Sequence, residues 1–211
     1  MTKILIVRHG QSENNKEAKY TGHLDVSLSG EGRAQAEALG EYLEKNYKID
    51  AIFSSDLKRA ADTIAPYAEK MGIEIKKDMR FREVSVGDWQ GKTFEEVNEK
   101  YKEEREKQRK NPGTFTFPGG ESYKAAQKRA VSAILEAIKE NENKTIVLAT
   151  HGGIVRALFA YFMNKPIENL PDIPIVSNAS VTEFDFENGE YKVLKFGFDE
   201  FLKNKTEAEN I

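Results

Sequence analysis

The chain has 211 residues, 32% of them charged, a net charge of −3 and no cysteine. That length suits one substantial core, and the near-balanced charge excludes the broad basic field with which nucleic-acid binders neutralise phosphates. The missing cysteine excludes disulfides, cysteine-ligated zinc and a cysteine nucleophile, so the reactive candidates include only three histidines, His9, His23 and His151.

Met1-Thr2-Lys3 leads into an apolar run of only Ile4 to Val7. This is far below the roughly 7–15 residues of a signal h-region or the roughly 20 of a membrane span, so a cytoplasmic protein without a membrane partner is expected. Ile4-Leu5-Ile6-Val7 reads as a strand buried on both faces, ending at Arg8-His9-Gly10. Ser29 is a plausible N-cap for a helix to about Asn46, with Ala36, Leu39, Tyr42 and Leu43 at helical spacing. A short strand over Asp50 to Ser54 follows, then a helix in which Leu57, Ala60, Ala61, Ile64, Ala65, Ala68 and Met71 form one apolar face. A weak strand is expected around Ile73 to Ile75.

From Thr93 to Lys110 the chain is highly charged, with Phe94, Val97 and Tyr101 as its sparse apolar positions. Asn111-Pro112-Gly113 and Pro118-Gly119-Gly120 bracket a loop, after which Ala126, Ala130, Ala133, Ile134, Ala137 and Ile138 mark another helix. Thr145 to Thr150 is a second buried-type strand, ending at His151-Gly152-Gly153, with a helix from about Ile154 to Met163. Asn188-Gly189 joins the runs Ser180 to Phe186 and Tyr191 to Phe196 as a hairpin, and a polar, frayed tail is expected from Lys203. The alternation predicts one α/β domain over residues 1–211. It would be a three-layer sandwich with a mostly parallel sheet, an antiparallel edge, helices on both faces, and a helical lid inserted at about 85–125.

Two of the three histidines, His9 and His151, share a setting: each directly follows a buried strand and precedes glycine. Open α/β sheets bind ligands at the carboxyl ends of their strands, and glycine there lets the backbone approach an anion. Either histidine alone reads equally well as a satisfied core residue; the pair, with Arg8 beside one of them, points to a shared anion site. Arg59, on the helix after Ser54-Ser55, is placed to add a bidentate phosphate clamp. Arginines beside the histidines would repel a divalent ion, so no metal and no other cofactor is expected. Trp89, the single tryptophan, reads as packing, and His23 as a loop residue.

These residues fall in blocks that resemble the histidine phosphatase superfamily, in its phosphoglycerate-mutase-like branch. Arg8-His9-Gly10-Gln11-Ser12 with Asn15 is similar to the opening block; Thr21-Gly22, Asp25 and Leu28-Ser29 to Gly32 with Gln35-Ala36 to the second; Ser54 to Ala60 with Thr63 to the third. Arg82-Glu83 with Gly87 to Gly91 resembles the acid-donor block, and Gly119-Gly120-Glu121-Ser122 and Thr150-His151-Gly152-Gly153 the last two. The resemblance implies that His9 becomes phosphorylated, that Arg8, Arg59 and His151 stabilise the transferring group, and that Glu83 serves as general acid and base. It further implies that Asn15, Thr21, Gly22 and Gly152 line the phosphate or substrate site. Gly152 stands where the acid-phosphatase branch has an aspartate proton donor, which leaves Glu83 to act.

The expected partner is a small phosphorylated metabolite, and a homodimer is left open by a thin amphipathic patch, Gly197 to Leu202. Three activities fit: a phosphomonoesterase, a phosphoglycerate mutase returning the phosphoryl group to its substrate, and a non-catalytic phospho-ligand module. The sequence favours the first. Mutases of the family are longer and carry a basic insert before the Gly-Gly-Glu block, whereas Lys102 to Lys110 interleaves acidic residues. The whole set of reactive side chains argues against a module.

Overall fold

The computed structural model describes residues 1–203. The polar tail expected after Lys203 lies outside the described residues. One six-stranded sheet organises the chain, with strand order β3-β2-β4-β1-β5-β6. Its parallel members are β1 (Thr2–Arg8), β2 (Ala51–Ser54), β3 (Ile75–Lys77) and β4 (Thr145–Thr150); β5 (Val181–Glu187) pairs antiparallel with β1 and forms a hairpin with β6 (Glu190–Phe198). The expected architecture is therefore the observed one.

The two central strands are apolar on both faces because each face carries helices. Ile4 and Ile6 of β1 and Ile146 and Leu148 of β4 face one core, under helices α6 (Tyr123–Glu140) and α7 (Gly152–Phe162). Leu5, Val7, Val147 and Ala149 face the other, against Leu39 and Leu43 of α2 (Gly30–Asn46) and Ile64, Tyr67 and Ala68 of α3 (Lys58–Met71). The connections leaving β1 and β4 thus run to opposite faces, and such a switch point opens a crevice at the strand ends.

Local signals account for most boundaries. Ser29 caps α2 through Gly32 N–H, and Ser122 caps α6 through Ala125 N–H. Asn188 and Gly189 both take positive φ, 53° and 85°, as a tight hairpin turn requires. The weak strand begins two residues later than expected, at Ile75. Gly72 closes α3 in the left-handed conformation and Ile73 N–H returns to Ala68 O, so Ile73 belongs to the helix cap. The charged stretch forms two helices, α4 (Phe94–Lys100) and α5 (Lys102–Lys110), with Tyr101 between them. Phe94 and Tyr101 pack beside buried Val97, and buried Trp89 meets Tyr20, Phe115 and Phe117. A one-turn helix, α1 (Glu13–Lys16), was not legible: four residues held by a Ser12–Asn15 capping box carry no periodicity. Among the described residues no helix is long and apolar enough to cross a membrane.

Candidate active site

Strand register brings the two histidines together. Arg8 pairs with Thr150 across β1 and β4, so His9 and His151 each stand one residue beyond a matched pair, with ring centroids 5.1 Å apart. On the other side of β4, Ser54 pairs with Ala149, which puts Ser55 Oγ 2.9 Å from His151 Nε2.

His9 is fixed from three sides. Asn178 Nδ2 donates to its carbonyl at 3.0 Å, the next amide, Gly10 N–H, donates to Thr63 Oγ1 at 2.9 Å, and its own Nδ1 lies 2.7 Å from Gly10 O. A carbonyl can only accept, so Nδ1 carries the hydrogen and Nε2 holds the lone pair. Burial, then the charges of Arg59 and Arg8, hold the imidazole well below its ordinary range, so it is neutral at pH 7. A neutral imidazole with a committed Nδ1–H is a competent nucleophile.

Arg59 is buried, with its two terminal nitrogens donating to Leu24 O and Gly22 O, both at 2.8 Å; its Nε–H has no protein partner. Burial pulls it down to about 10, so it stays charged at neutral pH. Arg8 Nη1 donates to Val176 O at 2.6 Å. Asn15 accepts from Ser12 N–H at 3.1 Å and from Ser12 Oγ–H at 2.9 Å through Oδ1. Arg8, His9, Asn15, Thr21, Gly22, Arg59, Glu83 and Gly152 all line one cleft. Gly22 contributes through its carbonyl, which anchors Arg59.

His151 is fully buried and meets the cleft through His9 and Gly152 instead of lining it. Burial and the Arg59 charge keep it neutral too, and its Nδ1 is buried without a hydrogen-bond partner. Glu83 enters from the loop after Phe81: Oε1 accepts Val84 N–H at 2.8 Å, and Oε2 accepts Gly153 N–H in the first turn of α7 at 3.0 Å. A Cβ at Gly153 would fall 2.5 Å from Oε1, so glycine is needed there for the carboxyl to dock. No group of three histidine or carboxylate residues suited to a metal occurs among the described residues.

Sequence reasoning missed several cleft or supporting residues. Tyr123 and Arg156 line the cleft from α6 and α7, and Arg105 and Gln108 from α5. Asn178 sits in a loop with no motif of its own. His23 proves to be a support, its Nε2–H donating to Glu83 O at 2.7 Å.

A family model of the histidine phosphatase superfamily (branch 1) matches residues 4–199. The chain belongs to that superfamily. It is 35% identical to a glucosyl-3-phosphoglycerate phosphatase of Mycobacterium tuberculosis, over 86% of this chain and 84% of that one. It is 33% identical to phosphoserine phosphatase 1 of Hydrogenobacter thermophilus, over 92% of each. Among solved structures, YhfR of Bacillus stearothermophilus superposes with a TM-score of 0.91 at 29% identity, covering 96% of this chain and all of that one. The chain is thus an enzyme of the phosphatase type that its motif blocks resemble.

Proposed function

We propose that the chain hydrolyses small phosphomonoesters through a phosphohistidine on His9. The observation that carries this reading is the His9 ring: Nδ1–H held by Gly10 O, the imidazole kept neutral, and Arg8 and Arg59 lining the same cleft. Nε2 attacks phosphorus as the ester P–O bond breaks. Arg8, Arg59 and the Asn15 amide take the charge spread over the equatorial oxygens. His151, buried beside His9 and not lining the cleft, supports this set from behind, with its Nε2 2.9 Å from Ser55 Oγ. Glu83 gives its proton to the leaving alkoxide, then takes one from the water that cleaves the N–P bond, restoring His9 and releasing phosphate.

The rest of the cleft supports a substrate with a second anionic group. Lys19, Arg105 and Arg156 line it. Arg156 is held by the carbonyls of Ile173 and Leu170, and Arg105 by side-chain oxygens of Asn98 and Gln108, all neutral acceptors. Two cations without neutralising partners in those bonds fit a carboxylate. Phosphoserine and phosphoglycerate, which appear in the relatives' names, each combine a phosphate ester with a carboxylate. The α4–α5 segment would act as the lid over that end.

The test is to incubate the protein with p-nitrophenyl phosphate in EDTA and with 3-phosphoglycerate plus bisphosphoglycerate. Free phosphate and an acid-labile phosphoenzyme mapped to His9 are expected. Predominant isomerisation would assign the mutase activity instead, and ligand binding without phosphoenzyme a binding module.

A further inference from the structure

The loop that carries Glu83 has no regular secondary structure beyond the 3-10 turns Met79–Phe81 and Gly87–Trp89, yet side chains occupy four successive carbonyls. Arg129, on α6, donates through Nη1 to Arg80 O and Arg82 O, both at 2.7 Å, and through Nη2 to Glu83 O at 2.8 Å. Thr150 Oγ1–H takes Phe81 O at 2.8 Å, and His23 Nε2–H shares Glu83 O. Glu121 completes the frame. Its carboxylate receives Arg129 Nε–H at 3.1 Å and Nη2–H at 2.6 Å, and its Oε1 also accepts Ser85 N–H at 2.9 Å. The Gly-Gly-Glu-Ser block gains a physical account here: a Cβ at Gly120 would lie 2.2 Å from Ser85 O, so the two loops can lie backbone to backbone, Glu121 joins the frame and Ser122 caps α6. Neither Arg129 nor Glu121 is among the residues lining the cleft.

We infer that Arg129, braced by Glu121, is the positioning residue for the general acid: it holds the main chain from Arg80 to Ser85 so that the Glu83 carboxyl stays at the leaving-group side of the cleft. This rests on the reading of Glu83 as acid. Arginine suits the task because one planar guanidinium reaches three carbonyls and a carboxylate together, which a lysine cannot do. Misplacing a reacting group by about 1 Å costs on the order of 10²-fold in rate.

A leaving-group comparison separates positioning from general loss of structure. p-Nitrophenolate departs without a proton, whereas the alkoxide of glycerol 2-phosphate needs one. In single-turnover measurements of phosphoenzyme formation, Arg129→Met and Arg129→Lys should lose on the order of 10² with the alkyl ester, at least about 10-fold more than with the aryl ester. Glu121→Gln, which keeps the side chain's shape, should show the same split in milder form, and it supplies the test if the Arg129 variants do not fold. Glu83→Gln is the reference. If it shows the split and the Arg129 and Glu121 variants lose equally on both esters, or on neither, the positioning role is overturned alone. A Glu83→Gln protein without the split removes the acid assignment, and the inference with it.

Discussion

The two ends of the cleft are built on different principles. At the inner end, His9, His151 and Ser55 ride on three neighbouring parallel strands whose register places them, and their surroundings are nearly fully buried. At the outer end, Glu83, Arg105 and Gln108 come from a loop and a charged helix, held by side-chain hydrogen bonds. Strand register and burial, with the bonds from Asn178 and to Thr63, fix His9, whereas side-chain hydrogen bonds across loops fix Glu83 and the wall around Arg105. Strand geometry is stiff and collective, whereas a loop can be released by deleting one group.

Substitutions at the two ends should therefore differ in kind. His9→Ala removes the attacking atom and should lower turnover by at least about 10⁴-fold on every ester, read as phosphate release. Glu83→Gln should cost about 10²–10³-fold on alkyl esters. Gly153→Ala tests the join between the ends, because its methyl would crowd Glu83 Oε1; a kcat loss of roughly 10-fold or more with KM little changed is expected. Unchanged kcat would mean that the carboxyl does not act from this position.

The acid limb of the pH profile probes the inner end. His9 must be neutral to attack, and its folded pKa is depressed below the ordinary 6.5, so kcat/KM should hold as pH falls through 6.5 and decline only below it. Arg59→Met removes one cause of that depression, so the acid limb of the remaining activity should move upward in pH. An acid limb at or above 6.5 in the unaltered protein would contradict a neutral buried imidazole. The smallest effect belongs to the outer wall: Arg105→Ala should raise KM roughly threefold to tenfold for a phosphorylated carboxylate and leave that for p-nitrophenyl phosphate in place.

The same contrast explains what could be read from the sequence. Ile4 to Val7 and Thr145 to Thr150 announce themselves as strands because burial on both faces demands unbroken apolar runs, and histidine-glycine after both marks the place where His9 and His151 meet. Arg59 was legible from its place after a strand. At the outer end only Glu83 was, and only through the family resemblance. Arg129 reaches its three carbonyls across 46 to 49 positions of sequence, Asn178 reaches His9 across 169, and neither separation leaves a periodic trace. Tyr123 and Arg156 sit on helices whose apolar faces describe the core and say nothing about a cleft at their ends.

The pairing of Lys3 to Arg8 with Thr145 to Thr150 joins segments about 140 residues apart. Closing so long a loop is entropically costly and slow, and it repays that cost only once both cores pack against the joined strands. His9 and His151 therefore meet late, as the centre of the sheet zips. An N-terminal fragment bearing the whole opening block would lack β4, and with it the hydrogen-bond edge that aligns His9. During synthesis on the ribosome His9 and His151 stay apart until β4 has emerged, and Asn178 and β5, which also hold the end of β1, follow later still.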